Sequence, residues 1–154
     1  MENSKGSVLR LFVLCLFGLL LINVSIAGIV GVLERSSEMF TKGAEIDNFT
    51  DEVLLYFLLA PIFETLFFQL MPIWTLFHIS HKKWRTILIS ATLFGLIHYY
   101  NVYYLIYGFL AGVILAFFFV ETYIKKDWLT AYILTVLLHG MHNVGAFVLE
   151  YYTS

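Results

Sequence analysis

The sequence predicts an all-α protein, a polytopic membrane helix bundle of about five transmembrane helices. Of its 154 residues, 60% are hydrophobic and only 13% are charged, where a soluble domain usually carries about 25% charged residues. Mean hydropathy is +0.84, more apolar surface than a core of this size can hide from water. The apolar residues also gather into runs that suit a hydrocarbon core of about 30 Å, which takes roughly 20 helical residues to cross. A net charge of −2 gives no basic surface for nucleic acid. The single cysteine, Cys15, excludes an intramolecular disulfide, and its apolar setting suits a small buried side chain.

The first span runs from Val8 to Leu33. It follows Lys5 and Arg10, and Ser25-Ile26-Ala27 has the small-x-small form of a signal cleavage site, but the run is longer than the roughly 7–15 residues of a signal peptide's apolar region. A retained anchor is therefore expected, with Asn23 and Ser25 making helix–helix contacts. The second span runs from about Val53 to Ile79 and contains Pro61 and Pro72. The third, Thr86 to about Tyr99, is short. The fourth runs from Tyr103 to Tyr123, and its Gly108 and Gly112 form a small-xxx-small face for close packing. The fifth runs from Leu129 to about Tyr151. Trp84, Trp128, Tyr99, Tyr100, Tyr151 and Tyr152 fall near span ends, as an interfacial belt would. Two regions follow: 1–50, an N-terminal transmembrane helix and an acidic external loop, and 51–154, the remaining spans.

Orientation comes from Lys and Arg placement. Lys5 and Arg10, then Lys82, Lys83 and Arg85, then Lys125 and Lys126 all fall on one side of a five-span chain. The other side has Arg35 and Lys42 in a segment dominated by acidic residues from Glu34 to Glu52. The N-terminus is expected in the cytoplasm and the C-terminus outside, in a bacterial plasma membrane. His78 and His81 lie by the basic turn and read as solvated or interfacial.

Titratable groups inside a span are costly and mark function. Glu64 lies about 17 Å from the outer start of its span, His98 about 18 Å and His139 about 15 Å from the inner starts of theirs, so the three can meet near mid-membrane. Asn143 is one turn beyond His139 on the same face, with His142 close by. A polar network holding helices together needs no carboxylate, so Glu64 favours chemistry: a carboxylate and a histidine can move a proton between water and a leaving group, and two further donors can hold an oxyanion. Haem could use His98 and His139 but has no use for Glu64. The residue types suit hydrolysis of a carbonyl compound. Glu64, His98 and His139 could also hold zinc with a position left for water. Metal-free chemistry is preferred, because Asn143 suits an oxyanion site better than a ligand set.

Three motifs carry a resemblance. Ala60-Pro61-Ile62-Phe63-Glu64-Thr65-Leu66-Phe67-Phe68-Gln69, then Phe94-Gly95-Leu96-Ile97-His98, then His139-Gly140-Met141-His142-Asn143 stand in the order of the motifs of the CPBP intramembrane proteases. This is the Abi or CAAX-protease family, of the Rce1 type. The resemblance spans about residues 50–150. It implies a membrane-embedded endopeptidase of the metalloprotease class acting on a membrane protein or lipidated peptide. Glu64 and His98 would activate water, and His139 and Asn143 would bind the oxyanion. Bacterial members are also linked to bacteriocin immunity. The chain departs from the family's Glu-Glu-xxx-Arg, carrying Thr65 and Gln69 where the second Glu and the Arg stand. In a regular helix these positions lie about 100° and 140° from Glu64, so they are expected to support neighbouring helices. The alternative is a catalytically inactive relative that acts as a membrane binding or immunity protein.

Overall fold

The computed structural model describes residues 3–33, 54–80 and 82–153. The acidic run from Glu34 to Glu52 and His81 lie outside the described residues, as do the side chains of His78, Tyr151 and Tyr152. The described chain is helical with no strand. Helix α1 spans Asn3–Leu33. Helix α2 is a continuous rod over residues 55–80 built of four segments: a π-helical turn Leu55–Leu59, an α-helical turn Ala60–Glu64, a second π-helical turn Thr65–Leu70 and an α-helix Met71–Ser80. Helices α3 (Lys83–Leu96), α4 (Val102–Lys125) and α5 (Trp128–Thr153) complete the bundle.

Four of these helices are long and apolar enough to cross a membrane: α1, α2, α4 and α5. Helix α3 has 14 residues, which rise about 21 Å and fall short of the hydrocarbon core. It packs antiparallel along α4. Lys83 at its start pairs with Glu121, and Lys125 reaches the same carboxylate at 3.2 Å. At its other end the His98 ring lies against Gly108, six residues, or about 9 Å, inside the start of α4.

In lipid, helix association gains little from the hydrophobic effect and depends on close packing and interhelical hydrogen bonds. Helix α4 is the centre of that packing. One cluster joins Cys15 and Leu19 of α1, Phe94 of α3, Leu115 and Phe118 of α4 and Leu138 of α5. A second joins Ile73 of α2 and Ile87 of α3 to Phe119 and Val120. The outward residues, among them Val13, Phe17, Phe67, Trp74 and Leu137, are apolar and exposed, as lipid contact requires. The expected small-residue face exists: a Cβ on Gly112 would meet the Ala91 backbone at 3.1 Å, and one on Gly95 would meet Phe109 at 3.0 Å.

Two exposed acceptors start α4 and α5. The Asn101 side chain accepts from the Tyr104 N–H at 2.8 Å, and the Asp127 carboxylate accepts from the Thr130 N–H at 2.9 Å and its hydroxyl at 2.7 Å. These bonds satisfy groups that a helix start leaves without partners. The bonds to Thr130 hold the Asp127 carboxyl below its ordinary range.

Candidate active site

The irregularity of α2 begins with Pro61. Proline has no N–H and cannot continue the bonding ladder of the preceding turn. In the π register that turn bonds five residues back, as the Ala60 N–H does to the Leu55 carbonyl. Pro61 therefore sends nothing to the Tyr56 carbonyl, and the Asn143 side chain donates to it instead, at 2.8 Å. One turn earlier on α5, Gly140 passes so close that a Cβ would lie 2.8 Å from the Phe57 carbonyl oxygen. The His-Gly-x-x-Asn pattern of α5 is thus fitted to the broken turn of α2.

That docking sets Glu64 against His139. Glu64 is the tenth residue of the apolar stretch Leu55–Phe77, and His139 is the twelfth of Trp128–Leu149, so both lie near mid-span. The Glu64 Oε2 is 3.5 Å from His139 Nε2, an ion-pair distance. The carboxylate side chain is 27% exposed and the imidazole only 3%. On the other side of the ring, the Thr65 hydroxyl stands 3.4 Å from His139 Nδ1.

His98 lies beyond Phe94. The Phe94 ring is 4.7 Å from the His98 ring and meets the His139 ring edge-on at 5.4 Å, so one buried phenyl separates the two imidazoles. His98 Nδ1 is 2.7 Å from the Phe94 carbonyl. A carbonyl only accepts, so Nδ1 carries the proton and the neutral ring keeps a lone pair on Nε2. Gly108 makes room for the ring, because a Cβ there would fall 2.9 Å from His98 Cγ.

The structure therefore brings Glu64 and His139 into contact, places His98 one phenyl ring away, and ties Asn143 to Tyr56 through one of its two amide hydrogens. Thr65 reaches a neighbouring helix, as expected, and what it meets there is the site histidine. It is fully buried. Gln69 is also fully buried, and neither amide atom has a hydrogen-bond partner among the described residues. Pro61, Thr65, Gln69 and Ile73 follow one another every four residues and are all buried, so Gln69 shares the packed face of α2 with Thr65. His142 belongs to a separate network with Asn23 and Tyr107. Reading spans for titratable groups missed Tyr107; the available signal was a phenol inside an apolar run beside Gly108.

No group of three His, Cys, Asp or Glu side chains among the described residues is arranged to hold a metal ion. His139 turns one ring nitrogen to Glu64 and the other to Thr65, and His98 commits Nδ1 to a carbonyl.

A family model described as type II CAAX prenyl endopeptidase Rce1-like matches residues 48–145. That stretch includes Glu64, Thr65, His98, His139 and Asn143. No curated protein and no solved structure matches the chain.

Proposed function

The chain belongs to the Rce1-like family of type II CAAX prenyl endopeptidases, and from that premise we propose that it is an intramembrane endopeptidase cleaving a peptide bond in or near the bilayer. The single observation that carries the reading is the Glu64–His139 contact at mid-span. An ionisable pair in lipid is expensive and is kept where it does chemistry.

In the proposed reaction, Glu64 takes a proton from water while the water oxygen attacks the peptide carbonyl carbon. The His139 N–H steadies the carboxylate and, as charge develops, the oxyanion. His98, with its lone pair on Nε2, is the second group proposed for the attacking water, a role that requires the Phe94 ring between it and His139 to turn aside when substrate enters. The second amide hydrogen of Asn143 is available to the oxyanion. When the C–N bond breaks, Glu64 returns its proton to the leaving amine, so the carboxylate is regenerated and one water is consumed. The substrate class is a membrane protein or a lipidated peptide whose scissile bond reaches this depth. The orientation has the N-terminus in the cytoplasm and the C-terminus outside.

The absent Glu and Arg of the first motif favour a second reading, an inactive relative that binds a partner. One experiment separates the two. A membrane-protein mixture is incubated with the wild-type chain or with Glu64→Gln in vesicles, and new peptide termini are read by mass spectrometry. Termini produced by wild type and absent with Glu64→Gln support the peptidase; no difference between them replaces it with the binding protein.

A further inference from the structure

We propose that α1 belongs to the catalytic apparatus, through a buried clamp of Asn23, Tyr107 and His142 that positions the α5 turn carrying His139 and Asn143. The proposal rests on the endopeptidase reading and adds to it a helix that begins and ends before the segment matched by the family model.

The clamp joins three helices. The Tyr107 hydroxyl of α4 donates to Asn23 Oδ1 of α1 at 2.8 Å and lies 3.0 Å from His142 Nε2 of α5. The Asn23 Nδ2 donates to the His142 backbone carbonyl at 3.3 Å. A phenol has one proton. Given to Asn23, it leaves the Tyr107 oxygen to accept, so His142 Nε2 must carry the hydrogen of that bond. This fixes the tautomer and leaves His142 Nδ1, which is buried without a hydrogen-bond partner among the described residues. All three side chains are almost fully buried, and the Tyr107 ring stacks on the His142 ring at 5.6 Å.

The position of the clamp gives it a consequence. His142 lies between His139 and Asn143 in one turn of α5, so a hold on both its ring and its carbonyl restrains the rotation and height of that turn. The other restraint, Asn143 on Tyr56, acts from α2. Together they set where His139 meets Glu64. The glycines agree: Gly145 of α5 passes directly over Leu20 of α1, with Asn23 Nδ2 3.5 Å from where a Cβ would sit. The approach is built for Asn23 to reach α5. Helix packing alone would need no tyrosine bridging an acceptor of one helix and a donor of another.

The test uses the full chain in lipid nanodiscs and a fluorogenic farnesylated CAAX peptide as probe. Tyr107→Phe, Asn23→Leu and the double variant are compared with wild type per unit of monodisperse, folded protein, with the ring nitrogens of His142 followed by ¹⁵N NMR. Each single variant is expected to lower kcat about tenfold with KM nearly unchanged, as loss of positioning does. The double variant should lose no more than the singles, because one network is being broken. Both singles should shift the His142 Nε2 signal. A purely structural role would lower thermal stability and leave the kcat of the folded fraction unchanged; that result, or losses that multiply in the double variant, overturns the proposal. A wild-type chain that cleaves nothing refutes the catalytic role together with the endopeptidase reading. A cleaving wild type whose His142 signal ignores both substitutions refutes the clamp alone.

Discussion

Adding a single methyl group at Gly108 tests how tightly the site depends on helix packing. A Cβ at this position would lie 2.9 Å from His98 Cγ and 3.0 Å from its Cβ and Nδ1. Ordinary contact begins near 3.4 Å, so the ring must retreat by about half an ångström. It has little freedom, being hydrogen-bonded to the Phe94 carbonyl at 2.7 Å and packed edge-on to Tyr104 at 5.0 Å. Overpacking of this kind costs about 1–3 kcal/mol, while replacing glycine by alanine within a helix recovers up to about 1 kcal/mol. Gly108→Ala should therefore fold, with stability reduced by roughly 0–2 kcal/mol. Its catalysis should suffer more. A misplacement of about 1 Å can cost on the order of 100-fold, so half that displacement should lower kcat by roughly 10-fold or more. The control is Gly28→Ala, where a Cβ meets nothing within 4 Å; it should keep full activity. Steady-state cleavage of the farnesylated peptide, beside thermal unfolding in detergent, gives both quantities. Gly108→Ala with wild-type kcat would refute the placement of His98 against α4.

Thr65 separates shape from hydrogen bonding: Thr65→Val, nearly isosteric, removes the hydroxyl facing His139 Nδ1 and should lower kcat about 3- to 10-fold, while Thr65→Ser should retain most activity. Asp127 gives a pH signature. Its carboxyl is held below the ordinary value by the bonds to Thr130, so the contribution to α5 is present above the unfolded-state value of about 3.9 and is lost as pH falls through the lower folded-state value. Asp127→Ala should accordingly lower the unfolding temperature at neutral pH, with the difference from wild type vanishing in strong acid. For topology, a reporter fused after Ser154 should lie outside and one inserted at Lys82 inside; finding both on one side would reject the proposed orientation.

The helical bundle was legible because its cause is compositional: long apolar runs, basic turns and interfacial aromatics follow directly from lipid as solvent. The candidate groups were legible for the same reason, since Glu64, His98 and His139 stand out in apolar surroundings. Their mutual geometry was not. A helical wheel sends Thr65 to a neighbouring helix, but that the group it meets there is His139 depends on how α2 and α5 pack. The role of Asn143 was also hidden. Its spacing from His139 is visible in sequence, whereas the Tyr56 carbonyl that it satisfies belongs to a distant segment. Gly108 was read as a packing residue, and it is one, but what packs there is the His98 ring. The partners of Asn23 depend on the way α1 lies across α4 and α5, and no local pattern encodes that crossing.

The most direct test of the central claim, that Glu64 activates water for peptide hydrolysis, follows oxygen rather than rate. Wild-type protein in nanodiscs is given the farnesylated CAAX peptide in H₂¹⁸O, and the new C-terminal carboxylate is weighed by mass spectrometry after a single turnover. The account predicts one ¹⁸O in that carboxylate with wild type and no labelled product with Glu64→Gln, whose folding and insertion are intact. Cleavage and label of wild-type extent in Glu64→Gln would contradict it.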